Sequence, residues 1–379
     1  HATPGPTRAT APRPGTARLP GGGLRLPYAQ GGDPAGPPVL LLHGFTDSWL
    51  CFGPLMERLP PAWCSIAVTQ RGHGDADRPA EGYRPTDLAA DLAAFMAALD
   101  LGPALVVGHC MGAQVAQRFA LDHPRHVRGL VLIGAYPTLR GNPVVEAFWT
   151  EAVAGLEDPV DPGFVRDFQA GTLARPVPEG FLDAVVAQSL KLPAATWRSV
   201  LAALRAEPPP PDLARIAVPT LLLWGDRDGL VTRADQETLL RAIPGARLRV
   251  QPGAGHSPHW EDPAGMAAHI ADFAAETCIL RSRIPRAQAG ADRRGARGLD
   301  GGHLLRCRQA AGAAAVRRHG GADPGGDGHG AERRRRLALF LRHVVVVAVD
   351  QRFEMPRRAA MACSSASVSA IMWQMRRPR

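Results

Sequence analysis

The chain contains almost no lysine and few aromatic residues. Lys191 is the only lysine among 379 residues, and phenylalanine, tryptophan and tyrosine together make up 6%. A phosphate-binding loop needs a lysine beside its glycines, and a dinucleotide site needs its own glycine fingerprint. Neither pattern occurs in the glycine-rich stretches, so we expect no nucleotide, flavin or nicotinamide cofactor.

Cysteine and long apolar runs are scarce as well. The six cysteines stand at positions 51, 64, 110, 278, 307 and 363. They lack the spacing of metal ligands and are too sparse for a disulfide scaffold. The apolar patch 337–349 is too short to cross a bilayer, and the chain has no apolar signal-peptide core. We therefore predict a cytoplasmic protein with no metal ion and no membrane span.

Positive charge is concentrated at one end of the chain. Residues 279–379 contain 21 arginines and 7 acidic residues, whereas the residues before them contain 23 basic and 28 acidic ones. This basic tail has no sustained helical or strand period, as is typical of disordered segments. We predict that residues 279–379 are a low-complexity tail, and three interpretations are open. The tail is a disordered basic appendage, or an out-of-frame reading of GC-rich coding sequence, or an arm that binds a nucleic acid or an anionic membrane. For the mildly acidic part before it we expect no nucleic-acid partner.

The opposite end of the chain also differs from the middle. Residues 1–19 are rich in proline, threonine and arginine, and we predict that they are disordered. The chain opens on His1 instead of methionine, so we expect its true start to lie elsewhere.

Between residues 20 and 278, short apolar runs alternate with amphipathic stretches of helical length. The runs, each bounded by glycine or proline, lie at 39–42, 66–68, 105–107, 130–133, 221–224 and 248–250. The amphipathic stretches lie at 87–99, 113–121, 233–242 and 263–275. Apolar runs of this length are typical of buried parallel strands, and the helices between them would connect one strand to the next. The pattern predicts an α/β protein with a doubly wound, mostly parallel sheet in two core parts, 20–136 and 212–278.

Residues 137–211 interrupt this alternation. They are predicted to form helical segments, and they close on four consecutive prolines at 208–211. These segments carry six aromatic residues, which are Phe148, Trp149, Phe164, Phe168, Phe181 and Trp197. We predict that this stretch is a helical cap inserted over the sheet. Its aromatic side chains would form the core of the cap, and some of them would line a cleft between cap and sheet.

A pentapeptide with a central cysteine follows the third apolar run. It reads Gly-His-Cys-Met-Gly at 108–112 and places Cys110 between two glycines. In a nucleophile elbow a strand turns sharply into a helix, and glycines are needed on both sides because a Cβ there would clash. We predict that Cys110 is a nucleophile at such an elbow; the alternative is a buried apolar cysteine.

Acyl transfer by such a nucleophile needs a base and an acid that orients the base. His256 follows a loop of small residues after the last apolar run and is our candidate base; His259 is the nearby alternative. Asp228 follows the fifth apolar run and is our candidate acid, which would hold the imidazole in one tautomer. Asp226 is its rival, and a turn-forming aspartate is the structural alternative.

Two backbone amides are candidate donors to the oxyanion that forms during acyl transfer. They are the N–H of Met111, which directly follows the nucleophile, and the N–H of Phe45, which follows the first apolar run. Removing one such donor typically lowers the rate by about a hundredfold to a thousandfold. We expect the neighbouring His43 to support this loop rather than act as a base.

Five motifs stand in a fixed order along the chain. They are His-Gly-Phe at 43–45, Gln-Arg-Gly-His-Gly-Asp at 70–75, Gly-His-Cys-Met-Gly at 108–112, Gly-Asp-Arg-Asp at 225–228 and Gly-His at 255–256. Over residues 20–276 this order resembles the α/β-hydrolase superfamily, and within it the capped lineage of esterases, epoxide hydrolases, carbon-carbon hydrolases and haloperoxidase-like proteins. The resemblance implies the α/β-hydrolase fold and a triad in the order nucleophile, acid, histidine, which would be Cys110, Asp228 and His256.

The sequence departs from most of that family in having cysteine where serine is usual. Aspartate at this position would imply epoxide hydrolase or dehalogenase chemistry. In having cysteine there, the sequence resembles dienelactone hydrolases and polyhydroxyalkanoate synthases, which use this residue in the same fold. A thiol beside a histidine ionises more readily than a hydroxyl, and its acyl-enzyme would be a thioester. We expect a hydrolase of an ester, lactone or thioester of a small apolar substrate. An acyltransferase or cyclase with the same triad, and a ligand-binding protein without catalysis, are the alternatives.

Overall fold

Eight strands form one sheet in the part of the chain that the computed structural model describes, residues 11–210 and 212–280. The strands are β1 (Arg13–Arg18), β2 (Arg25–Gly32), β3 (Pro38–Leu42), β4 (Cys64–Val68), β5 (Ala104–His109), β6 (Val127–Ile133), β7 (Thr220–Gly225) and β8 (Arg247–Gln251). Their order across the sheet is β1-β2-β4-β3-β5-β6-β7-β8. Strands β3 to β8 are parallel to one another, whereas β1 and β2 are joined antiparallel. The prediction of a mostly parallel sheet is confirmed.

The antiparallel edge of the sheet corrects the prediction that residues 1–19 are disordered. Arg13–Arg18 forms β1 and pairs with β2 along its whole length, from Arg13 opposite Gln30 to Arg18 opposite Arg25. An edge strand is held by backbone hydrogen bonds to one neighbour and tolerates proline, so its polar, proline-containing sequence carries no strand signal. Residues 1–10 and the predicted basic tail beyond residue 280 lie outside the described residues.

The parallel strands β3 to β7 are buried on both faces, whereas the edge strand β8 is only partly buried. In β3, Leu40 and Leu42 pack into one hydrophobic cluster and Val39 and Leu41 into another, because successive side chains of a strand point to opposite faces. All four are at most 1% exposed. The apolar runs before 248–250 therefore correspond to strands that are covered on both sides.

Ten α-helices surround the sheet in the described ranges. They are α1 (Gly53–Met56), α2 (Pro85–Ala98), α3 (Met111–Asp122), α4 (Pro143–Phe148), α5 (Pro162–Ala170), α6 (Glu179–Ser189), α7 (Ala194–Ala206), α8 (Arg233–Ala242), α9 (Pro258–Glu261) and α10 (Pro263–Glu276). Helix α8 begins at a capping box, in which Thr232 and Asp235 each accept a hydrogen bond from the other's backbone N–H. Among the helices of residues 11–210 and 212–280, none has the length and apolar character needed to cross a bilayer.

The segment between β6 and β7, here called the insertion, carries α4 to α7 and one π-helical turn, Trp149–Val153. Its aromatic rings pack on one another and on the loop that follows β3. Phe148 and Phe168 stack with their ring centroids 5.3 Å apart, and the edge of Trp197 meets Phe45 at 5.2 Å. The insertion therefore lies over the carboxyl ends of the parallel strands. The limits 137–211 that the sequence gives to a cap stay a prediction.

Candidate active site

Cys110 occupies a sharp turn between β5 and α3. Its backbone has φ 52° and ψ −115°, a conformation that non-glycine residues rarely adopt and that concentrates at functional sites. A Cβ on Gly108 would lie 2.3 Å from the Gly112 carbonyl oxygen, and a Cβ on Gly112 would lie 2.0 Å from that of Leu42. Both glycines are therefore required for this turn, which sets the thiol at the carboxyl end of the sheet.

Asp228 and His256 are joined by a hydrogen bond of 2.8 Å between Oδ2 and Nδ1. The other carboxylate oxygen of Asp228 accepts from the backbone N–H groups of Leu230 and Val231, both at 2.9 Å. These bonds fix the carboxylate so that one oxygen faces the imidazole. Asp226, the rival acid, instead accepts a hydrogen bond from the Gly253 N–H at 2.5 Å and lies at the surface.

The loop that carries His256 is held by the insertion. The His256 N–H donates to the Thr172 carbonyl oxygen at 2.9 Å. Oε1 of Glu261 accepts from the Gly255 N–H at 3.0 Å and from the Ala174 N–H at 2.9 Å. Contacts from both the core and the insertion thus determine where the imidazole stands.

The charges around His256 favour its protonated form. Burial alone would lower the pKa of His256, but the charge of Asp228 and then that of Cys110 raise it well above its ordinary value. Nδ1 of His256 is bonded to Asp228, so Nε2 is the ring nitrogen left to interact with Cys110, which raises the pKa of His256 by its charge and by hydrogen bonding. This nitrogen is therefore available to exchange a proton with the thiol or with a bound molecule.

A tyrosine hydroxyl also faces Cys110. Tyr136 is 1% exposed. Burial and then the charge and hydrogen bond of Cys110 raise the pKa of Tyr136 well above its ordinary value. The phenol therefore stays neutral and can donate to a thiolate. Sequence analysis missed this residue, because a tyrosine after an apolar run has no signal that separates it from a core residue.

His259, the alternative base, is buried among rings. Its centroid lies 4.4 Å from that of His109 and 5.0 Å from that of Phe52. Neither ring nitrogen has a hydrogen-bond partner among residues 11–210 and 212–280. Burial, and then the charge of His256, lower the pKa of His259 to about 3. It therefore stays neutral at ordinary pH and has no carboxylate to orient it.

The candidate nucleophile and base open into a cavity of about 130 Å³ between the sheet and the insertion. Cys110, His256 and Phe45 all line it. The insertion contributes apolar side chains that include Leu139, Val144, Val145, Phe148, Phe168 and Leu201. The cavity therefore suits an apolar molecule with one reactive group at the cysteine.

The two candidate oxyanion donors belong to two different elements: Phe45 lines the cavity, and Met111 directly follows Cys110. Met111 is the first residue of α3, so its N–H has no partner within the helix. Phe45 belongs to the loop after β3, where His43 joins two segments: Nδ1 lies 2.8 Å from the Gly44 carbonyl oxygen and Nε2 accepts from the Gln70 N–H at 2.9 Å. His43 thus holds this loop by hydrogen bonds through both ring nitrogens.

Two polar residues of the cavity escaped the sequence analysis. Asp47 lies two residues after Phe45 and is 3% exposed, and Gln169 lies in α5. Gln169 Nε2 donates to Asp47 Oδ1 at 3.0 Å. Burial raises the pKa of Asp47 to about 7, against the opposing effects of the Gln169 hydrogen bond, the charge of His256 and the Gly44 N–H. An acidic residue close behind the His-Gly-Phe motif was the one available signal.

Known proteins are similar to this chain in sequence and in fold. A family model described as alpha/beta hydrolase fold matches residues 37–263. The 2-(acetamidomethylene)succinate hydrolase of Mesorhizobium japonicum is 32% identical over 255 residues, which are 63% of this chain and 88% of that protein. A pimeloyl-(acyl-carrier protein) methyl ester esterase of Neisseria meningitidis is 30% identical over 242 residues, 62% of this chain and 92% of that protein.

A solved structure gives the same result. The crystal structure of an esterase from Rhodococcus superimposes with a TM-score of 0.60 and 28% sequence identity, covering 71% of this chain and 100% of that one. The residues that match the family model contain β3 to β8, the insertion and the residues around Cys110. The chain therefore belongs to the α/β-hydrolase fold family.

Proposed function

We propose that this protein is an acyl hydrolase that cleaves an ester, lactone or thioester of a small apolar substrate and uses Cys110 as its nucleophile. One observation carries the proposal: Cys110, on a strained elbow, shares an apolar cavity with His256, which is bonded to Asp228. The names of the related hydrolase and esterases support the same class of reaction. A protein that only bound a ligand would have no need of these three residues together.

In the acylation step, the Cys110 sulfur attacks the carbonyl carbon of the substrate. The carbonyl π electrons move to oxygen, and the N–H groups of Phe45 and Met111 stabilise the oxyanion. When the tetrahedral intermediate collapses, the bond to the leaving group breaks, and His256 donates the proton that came from the thiol. Asp228 stabilises the imidazolium without taking a proton itself. The product of this step is a thioester on Cys110 and a released alcohol or thiol.

In the deacylation step, His256 accepts a proton from water, and the hydroxide attacks the thioester carbon. The same two N–H groups stabilise the second oxyanion. The carbon–sulfur bond then breaks and the carboxylic acid is released; Cys110 leaves as a thiolate beside protonated His256, or as a thiol once His256 has donated its proton to the sulfur. An amine or alcohol in place of water would make the protein an acyltransferase, so water access beneath the insertion decides the outcome.

The test is intact-protein mass spectrometry of the full chain after incubation with short p-nitrophenyl esters and acyl thioesters, with product release followed in parallel. We expect a transient acyl adduct on Cys110, no turnover in Cys110→Ala, and a residual fraction of turnover in Cys110→Ser. Cys278, which is exposed, provides a matched control: Cys278→Ala should keep both adduct and turnover. Full turnover in Cys110→Ala would refute the proposal. An adduct that added amines discharge faster than water would favour the acyltransferase.

A further inference from the structure

The cavity is unbalanced in its charges. Among the described residues that line it, none is arginine or lysine, and the one carboxyl side chain is that of Asp47. His109 also lines the cavity, and burial, followed by the charges of His259 and His256, lowers its pKa well below the ordinary value. The positive charge of His256 is matched by Asp228 and Cys110. An anionic group of a ligand would therefore find no unpaired positive charge among the described residues that line the cavity.

Asp47 has capacity for another hydrogen bond. Among the described residues, two donors reach its carboxyl, Gln169 Nε2 at 3.0 Å and the Gly44 N–H, whereas an ionised carboxylate accepts about four. The Gln169 amide is itself shared, since its nitrogen lies 3.0 Å from Thr46 Oγ1 and 2.8 Å from Ser189 Oγ. An amide nitrogen carries two hydrogens, so three acceptors compete for them. The protein alone leaves the acceptors of this cluster undersupplied.

The environment of Asp47 penalises its charge when no further donor is present. Burial is the largest influence on this carboxyl, and it raises the pKa of Asp47 to about 7. A donor brought by a ligand would stabilise the carboxylate, because hydrogen bonds to charged groups are stronger than those between neutral groups. A carboxylate on the ligand would instead add a like charge in a space that already disfavours the first one.

We propose that Asp47 is a specificity-determining residue that binds a single hydroxyl or ammonium donor on an otherwise apolar acyl chain, so that the cavity selects such chains over chains that carry a carboxylate. This inference rests on the acyl hydrolase activity proposed above. The proposed substrate preference differs from that of the Mesorhizobium relative, whose name specifies a succinate and therefore a dicarboxylate substrate. Gln169 acts with Asp47 by fixing the carboxyl against α5.

The test compares kcat/KM for p-nitrophenyl esters of matched chain length whose far end is a methyl, a hydroxyl, an amine or a carboxyl group. We expect the wild-type protein to prefer the hydroxylated ester over the carboxylated one by about tenfold or more, the fold-change of one hydrogen bond to a charged group. In Asp47→Leu this preference should disappear. In Asp47→Asn the carboxylated ester should gain, because the amide adds a donor and removes the like charge.

Asp167 supplies a matched control on the helix that carries Gln169. It is exposed, so Asp167→Asn makes the same chemical change outside the cavity and should leave the ratio of the two esters unchanged. Each variant is compared through this ratio, which cancels a general loss of folded protein. Equal use of both esters by the wild-type protein, or an unchanged ratio in Asp47→Asn, would overturn the specificity proposal alone. If the unsubstituted ester gave neither product nor an adduct on Cys110, the proposed hydrolase function would fail, and this inference with it.

Discussion

A buried histidine without hydrogen bonds makes the stability of this protein sensitive to acid. His259 is fully buried, packs against the rings of Phe52 and His109, and has no partner for either nitrogen in the described ranges. Replacing it by phenylalanine keeps an aromatic ring among these neighbours and removes the titratable group. We expect His259→Phe to resist acid better than the wild-type protein.

The size of the effect follows from the difference in proton binding between the folded and unfolded chain. Burial lowers the pKa of His259 from 6.5 to about 3, so below 6.5 the unfolded chain takes up a proton that the folded chain refuses. Stability is therefore intact above 6.5 and falls as the pH falls, by about 1.4 kcal/mol per pH unit for each such histidine. Burial also lowers the pKa of His73, to about 4, and this residue adds a similar loss.

Urea unfolding followed by tryptophan fluorescence measures this loss. Between about pH 7.5 and about pH 5.5, His259 and His73 together remove about 3 kcal/mol from the wild-type free energy of unfolding, and His259→Phe should lose about 1.4 kcal/mol less. The curves at about pH 7.5 separate packing from protonation, because neither histidine is charged there in either state. Parallel losses of stability in the two proteins over this pH range would refute the reasoning.

Two further substitutions test the site and the elbow. Asp228→Asn should lower kcat for a hydrolysed ester by about a thousandfold or more, since an amide cannot stabilise the imidazolium, whereas Asp226→Asn should leave kcat within a few-fold; comparable losses in both would contradict the assignment. Gly112→Ala should abolish soluble folded protein, because its Cβ would meet a backbone oxygen at 2.0 Å, while Gly102→Ala has nothing within 4 Å and should not change the melting temperature. Circular dichroism of both alanine variants measures this. A folded Gly112→Ala protein with a normal Tm would contradict the close approach of Gly112 to the Leu42 carbonyl oxygen.

The sequence predicted the strands and helices whose buried residues form an apolar run or a helical period. The run 221–224 predicted β7, which spans Thr220–Gly225, and the amphipathic stretch 233–242 has the bounds of α8. Strand β7 is buried along its whole length, and α8 buries one face through Gln236 and Leu239, so an apolar run and a helical period are visible in the sequence. Strand β1 could not be found in this way, since its pairing uses backbone groups that every residue has.

In the candidate site, too, features that depend on neighbouring residues could be predicted, whereas contacts between distant segments could not. The environment of Cys110 is local, because the flanking glycines and the strand before them lie within a few residues, and the sequence could predict the elbow. The pair of Asp47 and Gln169 joins residues 122 positions apart, and no property of either position alone specifies the partner. Contacts of this kind depend on how the insertion lies on the sheet, which propensity and pattern do not determine.

The backbone hydrogen bond from His256 to Thr172 limits which segments could replace the insertion. The insertion is bonded to the loop that carries His256 and, through Gln169, to the loop that carries Phe45. A segment that replaced the insertion without these two groups would remove contacts to both loops together with one wall of the cavity. A change of substrate through the insertion of this chain therefore has to preserve the Thr172 carbonyl group and the Gln169 amide group at fixed places.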